Sequence, residues 1–364
     1  MTEIVELKAT GDDAIEWRRL VDSFPSARRD IHYTPQYHQI YEQTYGQQSS
    51  LFVFQSAGNT IVQPVVRKVV PPELTGDCNE RRLDLESVYG FGGPLATNPV
   101  SHQQAKDYNL AFCEYQRSVG AVSEYCQLHP LLLEHQTPLL SESCEKSLRK
   151  QCVFIDLSQS LTDLWSSIHE RQRKAVAVAK RRGVKVRRLE ATDEQLDQFR
   201  AMYSATMVRV NAAESWHFPD TYFRSCRDCL GEQKVSLFAA EVDGGIGGYF
   251  YLLHEYDTCY YHFAATDPAF NKFNLSSLLL FETLLWAKVQ GYKNYFLGGG
   301  RSSEEDDSLL KFKSSFSQTK SPLLVYQRIL NDECYHGLEV QKVRREKADG
   351  YLPKIHNYFP VYRR

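Results

Sequence analysis

The chain has 364 residues, 42% of them apolar and 24% charged, a balance that supports packed cores and excludes disordered or collagen-like sequence. Its 43 basic and 45 acidic side chains nearly cancel, so the molecule as a whole is not a polyelectrolyte seeking nucleic acid, and any anion affinity must come from local clusters. The length suits about two domains.

Ala14 to Val21 and Pro35 to Thr44 read as short helices, the second with Pro35 at a helix-starting position. Leu51 to Gln55 and Thr60 to Lys68 are apolar and β-branched, and Ser56-Ala57-Gly58-Asn59 between them predicts a hairpin. A short strand over Arg81 to Glu86 runs into Tyr89-Gly90-Phe91-Gly92-Gly93-Pro94, too glycine-rich for either regular element. Helix follows over Gln103 to Arg117, then strands over Ser123 to Leu128 and Cys152 to Leu157. One helix from Thr162 to Lys180 bridges to a second block, and Gly183 stops it. That block reads strand (Val184 to Leu189) and helix (Asp193 to Val208), the helix with Leu196, Phe199, Tyr203 and Met207 three and four residues apart. A second helix (Phe218 to Leu230) follows. Three strands come next, over Val235 to Val242, Ile246 to His254 and Thr258 to Ala265, with hairpin chemistry at Asp243-Gly244-Gly245 and Glu255-Tyr256-Asp257. A long helix (Leu275 to Gln290), a strand (Tyr292 to Leu297), a helix (Asp307 to Ser314), a strand (Leu323 to Ile329) and a helix (Glu333 to Glu346) complete the chain.

No stretch reaches the ~20 apolar residues of a membrane span, because Ser276, Ser277, Glu282 and Lys288 interrupt the best candidate. Met1 to Thr10 lacks the basic start and apolar core of a signal peptide. The expected location is cytoplasmic. The nine scattered cysteines, Cys226-x-x-Cys229 among them, then read as reduced thiols, and no metal site is expected.

The order strand, two helices, three meandering strands, helix, strand, helix, strand is that of the GNAT acyltransferase fold. In that fold the sheet splays between the strand before the long helix and the strand after it, and an acyl donor lies in the opening. The first block reads as a degraded copy of the same plan. The expectation is an α/β chain (α+β mixed sheet) of two fused GNAT-like domains, residues 1–157 and 183–364, joined by a basic helix over 158–182.

Three stretches carry a closer resemblance: Ser87-Val88-Tyr89-Gly90-Phe91-Gly92-Gly93-Pro94, the basic helix Arg171 to Arg182 entering Gly183-Val184-Lys185-Val186, and Leu297-Gly298-Gly299-Gly300 followed by Ser308-Leu309-Leu310-Lys311-Phe312-Lys313. In order and spacing, from about Tyr33 to Ile329, they resemble the Fem-type peptidyltransferases and their GNAT-like relatives. The resemblance implies amide formation on an amino group of a glycan, peptidoglycan or surface-polysaccharide precursor, without a tightly bound cofactor. The donor would be aminoacyl-tRNA or, as the rival, acyl-CoA, and a membrane-linked precursor would bring peripheral contact with a lipid surface. Asp267-Pro268-Ala269-Phe270-Asn271-Lys272-Phe273-Asn274, where thioester-using relatives place glycines before the long helix, contains none. That departure weighs against coenzyme A. Leu95-Ala96-Thr97-Asn98 supplies no acid after the Gly-Pro, so no general base carries over from there.

Lys313, in the Phe312-Lys313 pair of that resemblance, is the first candidate for stabilising charge on the reacting carbonyl; unaided, a lysine on a short helix is a surface charge. Gly299 and Gly300 suggest converging N–H donors, and Arg301 a bidentate partner for phosphate or carboxylate. Asp307 reads as a helix cap or as a proton acceptor. His262 shares a predicted strand face with Tyr260 and Ala264, opposite Tyr261 and Phe263, and is either a core residue or a base. Asn211 and Trp216 fall in a loop expected to lip the acceptor site, and Tyr89 and Gly93 in a loop able to meet a sugar. Nine cations between Arg171 and Arg188, among them Arg173, Lys174, Arg181 and Arg182, form a local positive patch suited to a tRNA acceptor end or a diphosphate. Two rival functions stay open: acyl-CoA-dependent N-acylation of an amino sugar or small metabolite, and a non-catalytic nucleic-acid or lipid-carrier binding protein.

Overall fold

The computed structural model describes residues 2–75, 81–302, 304, 306–348 and 358–363. The chain forms two units, one of Met1–Arg28, His32–Arg149 and Leu323–Arg364, the other of Arg29–Ile31 and Lys150–Pro322.

The first unit begins β1 (Glu3–Lys8), α1 (Gly11–Ser23), α2 (Pro35–Tyr45), with Thr34 capping α2 through the Tyr37 N–H. The expected hairpin is β2 (Gln48–Ser56) against β3 (Asn59–Val69), paired along its full length from Gln48↔Arg67 to Ser56↔Asn59. Then come α3 (Pro72–Thr75), β4 (Leu83–Glu86), β5 (Leu95–Ala96), α4 (His102–Ser118), β6 (Ala121–Gln127) and α5 (Leu133–Gln136). A reciprocal Ser101–Gln104 capping box starts α4.

The second unit runs β7 (Glu145–Asp156), α6 (Leu161–Ser167), α7 (Glu170–Arg181), β8 (Lys185–Leu189), α8 (Asp193–Arg209), α9 (Asp220–Leu230), β9 (Val235–Val242), β10 (Gly245–Glu255) and β11 (Thr258–Thr266). It continues through α10 (Leu275–Val289), β12 (Asn294–Gly299) and α11 (Ser308–Ser314). Its core is built on α10, where Leu278, Leu279, Leu280 and Leu284 are each at most 2% exposed, worth about 2 kcal/mol apiece. The chain closes with β13 (Lys320–Ile329) and α12 (Asp332–Ala348).

Neighbouring strands in the first unit follow the order β1-β2-β3-β4-β6-β13, and in the second β8-β9-β10-β11-β12-β7. One plan is used twice, as expected for two fused GNAT-like domains. The copies differ where the plan splays. In the first unit β4 and β6, on either side of α4, pair in parallel from Leu83↔Ala121 to Glu86↔Tyr125, and a further bridge joins Gly92 to Leu128. That opening is zipped shut. In the second unit β11 and β12, on either side of α10, pair only at Thr258↔Asn294, Cys259↔Tyr295 and Tyr260↔Phe296, then part.

Two expectations change. The helix read over Thr162 to Lys180 is two helices, because His169 leaves the helical conformation to cap α7, its ring accepting from the Arg171 N–H while its own N–H bonds the Ser315 carbonyl. The last strand and helix, read within 183–364, belong to the first unit, because β13 pairs with β6 from Val325↔Gln127 to Ile329↔Ser123. The corresponding place beside β12 is taken by β7, which precedes it in the chain, with pairs from Asn294↔Asp156 to Gly299↔Cys152.

Candidate active site

Where β11 and β12 part, Lys313 stands in the gap. It projects from α11, is 6% exposed, donates its Nζ to the Gly299 carbonyl at 2.7 Å and lies 5.3 Å from the Tyr261 ring centroid on β11. Burial brings its pKa down to about 7, opposed most by Cys152; the neighbouring Lys150 charge adds to the lowering by a smaller amount, and Asp307 opposes it least. A lysine so poised is a proton acceptor in its neutral form and a cation once protonated.

The turn Gly298-Gly299-Gly300-Arg301 works differently from the expected N–H nest. A Cβ on Gly299 would stand 2.7 Å from Lys150 Cδ and 2.9 Å from the Gln151 carbonyl, and one on Gly300 2.5 Å from Asp307 Oδ1. Glycine is needed so that these groups can close in. The carbonyls of Gly299 and Gly300 turn toward Lys313 and Lys150, the second at 3.0 Å. The Arg301 and Ser302 N–H groups are taken by Asp307 Oδ2 at 3.1 and 3.2 Å. The Arg301 guanidinium donates to Ser308 Oγ at 2.7 Å.

Asp307 caps α11, its Oδ1 accepting the Leu310 N–H at 2.8 Å. Partial burial would raise its carboxyl, but the backbone N–H groups of Leu310, Ser302, Arg301 and Leu309 outweigh that and hold it below the usual carboxylate range. Both oxygens are engaged in fixing the glycine turn to the helix that carries Lys313. Phe312 packs on the core from the same helix, 5.5 Å from Phe316.

His262 is the extra residue of a β-bulge, since Phe263 faces Tyr251 while Tyr261 faces Leu252. The strict alternation expected of this strand is thereby broken. Ala264 joins Cys259 and Tyr261 on the side of the α10 core, while Phe263 packs on Tyr203 and Phe218. The His262 ring stacks over Tyr222, with Nε2 3.4 Å from its hydroxyl. Tyr260 is buried and bonds Asp30. Trp216 is half-buried, held by its carbonyl to the Tyr203 hydroxyl at 2.9 Å, and the Lys150 Nζ lies 5.6 Å from its ring centroid. Asn211, exposed with φ of 48°, ends α8 in the left-handed conformation and bonds back to the Val208 carbonyl. Lys313, Gly299, Gly300, Asp307 and Trp216 thus meet around one turn. Lys150, which links them, had no sequence signal beyond its place at the end of an exposed polar stretch.

Beyond the parting, the β11 edge continues from Tyr261 to Thr266, roughly 17 Å at strand rise, to a cavity of about 180 Å³ at the start of α10. Gly247, Thr266, Asp267, Phe270 and Ser276 are among its lining residues. Phe270 sits so close to β10 that a Cβ on Gly247 would come within 2.7 Å of its own Cβ.

The basic helix α7 buries Gln172, Val176 and Ala179; Gln172 accepts from Ser277 Oγ of α10 at 2.8 Å. Its cations are partly spoken for: Lys174 pairs with Glu170 and Lys180 with Glu282, both at 2.7 Å, Arg173 donates to the Ser166 carbonyl at 3.2 Å, and Arg182 bonds the Lys272 carbonyl. Arg171 and Arg181 are exposed. Of the nine cysteines, Cys78 lies outside the described residues and the others are free thiols.

In the first unit, the Tyr89 to Pro94 loop is packed against protein. A Cβ on Gly90 would meet the His32 ring at 2.3 Å and one on Gly93 would meet Leu128 at 2.7 Å. The Gly92 carbonyl accepts from Tyr33 at 2.8 Å and Gln136 at 2.6 Å, and the Tyr89 carbonyl from Tyr37 at 2.6 Å.

This fold and this parting of strands define a GNAT-type acyltransferase architecture, and residues 166–313 match the family model described as an acetyltransferase (GNAT) domain. Two of the solved structures similar in fold are FemX, at 16% identity and TM-score 0.65 over 92% of this chain and 99% of that one, and a tandem GNAT protein from the clavulanic acid biosynthesis pathway, at 10% and 0.54 over 91% and 99%. A third is the C-terminal domain of a putative lysylphosphatidylglycerol synthetase from Agrobacterium fabrum, at 14% and 0.53 over 91% and 96%. At these identities the likenesses are of fold, and they bear out the expected two GNAT-like domains. A comparison with curated proteins finds no match. Among the described residues no helix is long and apolar enough to cross a membrane.

Proposed function

We propose that the second unit transfers an acyl or aminoacyl group onto an amino group of a cell-wall or surface-polysaccharide precursor, with aminoacyl-tRNA as donor. The observation that carries this reading is the parting of β11 and β12 after Tyr260 and Phe296, with the Lys313 amine buried at that point. The acceptor nitrogen attacks the donor carbonyl, a C–N bond forms, and the ester C–O bond to the ribose breaks. Neutral Lys313 takes the proton the amine must lose, and as an ammonium it then faces the oxyanion. The proton passes to the departing ribose oxygen. A pKa of about 7 lets the group do both at neutral pH.

Acyl-CoA is the second reading, favoured by the cavity at the start of α10, where backbone N–H groups attract phosphate. The Asp267 carboxylate in its lining and Phe270 against Gly247 oppose a pyrophosphate there. Calorimetry with coenzyme A and filter binding with charged tRNA separate the two. Binding of charged tRNA that weakens steeply with salt, with no heat from coenzyme A, supports the first reading. The reverse pattern replaces it with the second, and binding of either without transfer to any amine acceptor supports a non-catalytic binding protein.

A further inference from the structure

Lys150 lies on β7, outside the motifs that carry the resemblance, yet its side chain ends at the glycine turn. Its Nζ donates to the Gly300 carbonyl at 3.0 Å, as Lys313 donates to the Gly299 carbonyl at 2.7 Å. Two lysine amines therefore hang on consecutive carbonyls of one turn. The site is shaped for this: Gly299 has no room for a Cβ because the Lys150 stem, 2.7 Å from that position, runs across it. The Lys150 Nζ also lies over the Trp216 ring, 5.6 Å from its centroid, within cation–π reach.

We propose that Lys150 is a positioning residue for Lys313, anchoring the glycine turn and setting the charge state in which Lys313 meets the substrate. A fixed like charge on the next carbonyl disfavours the protonated form of Lys313 and leaves its lone pair free to accept a proton. The other groups facing Lys313 are Cys152 from β7, Asp307 at the start of α11 and Tyr261 from β11. Cys152 is buried, its thiol pushed up to about 11 chiefly by burial, and its pull on Lys313 opposes that of Lys150, as does the smaller one of Asp307. The burial of Lys313 lowers its pKa in any case, and Lys150 adds to it in the same direction. This role deepens the proposed transfer and rests on Lys313 being its reacting lysine.

The test reads Lys313 itself. Competitive labelling of the full chain with acetic anhydride, followed by peptide mass spectrometry across pH 5 to 10, reports the titration of each lysine amine. In Lys150→Met and Lys150→Gln we expect the Lys313 midpoint to move up by about one pH unit, a roughly fivefold drop in labelling at pH 7, where about half the wild-type amine is neutral. Lys150→Arg, which keeps the charge, restores the original midpoint. A Lys313 midpoint unmoved or lowered in both neutral variants, or an upward move that Lys150→Arg does not reverse, overturns the proposal. The transfer reading fails separately, if wild-type protein transfers nothing while the labelling shift is present.

Discussion

Lys313 ties chemistry to stability. Its amine is protonated less readily in the folded chain than in the unfolded one, with a pKa of about 7 against the ordinary 10.5. Between those values the unfolded chain binds more protons, so stability rises with pH across that window, and the penalty is fully present below pH 7. Urea midpoints measured at pH 7 and pH 9 are expected to be higher at pH 9, and Lys313→Met is expected to lose most of that rise; an equal rise in the variant would mean that other groups produce it. Transfer rate is expected to climb as pH passes upward through about 7, as neutral Lys313 appears. Asp307 gives the contrasting case. Asn keeps one accepting oxygen for the Leu310 N–H but sets an amide NH2 against the Arg301 and Ser302 N–H groups. Asp307→Asn is therefore expected to lose part of the stability and kcat that Asp307→Ala loses in full, about 1 kcal/mol for the cap with α11 misplaced. Abolished turnover in Asp307→Asn at unchanged thermal stability would instead make Asp307 the base. The glycine turn was legible in the sequence because a run of glycines is a local signal, whereas Lys313 was singled out only through the family resemblance, since a lysine on a short helix otherwise reads as a surface charge. Lys150 was not legible, since it reaches the turn only through the pairing of β7 with β12.

At the scale of elements, the meander, the long helix and the hairpin of the first unit were readable because their turns and apolar periods lie within a few residues of one another. The bulge at His262 and the break before α7 were not. The first is a matter of register with β10, and the second depends on a hydrogen bond from His169 to Ser315, far along the chain. The direction of the glycine turn was misread for a related reason: glycines announce a close approach without saying whether N–H or carbonyl faces the site. Gly300→Ala tests the observed geometry. Its Cβ would fall 2.5 Å from Asp307 Oδ1 and 3.1 Å from Leu310 Cβ, forcing the cap apart for about 1–2 kcal/mol. A lowered thermal midpoint and reduced kcat with little change in KM are expected, and unaltered stability would contradict the packing described here.

For the whole molecule, the duplicated strand order explains both the legible and the illegible parts of the domain plan. The repeated elements could be counted from sequence. The exchange of final strands, with β13 beside β6 and β7 beside β12, could not, because either strand has the composition to serve either sheet. The positive patch follows from the sequence too, though several of its charges hold the helices together. Arg171 and Arg181 are the exposed pair to change. Reversing both to Glu is expected to weaken binding of charged tRNA about tenfold or more and to flatten its salt dependence by about two phosphate contacts; an unchanged slope would place the tRNA elsewhere or remove it as donor. The most direct measurement is transfer of a radiolabelled amino acid from charged tRNA to an amine-bearing, nucleotide-linked muropeptide by wild-type and Lys313→Ala protein, with tRNA binding measured alongside. Product from the wild type alone, with equal binding by both, is the predicted result. Equal product from both would contradict an active site at the parting of β11 and β12.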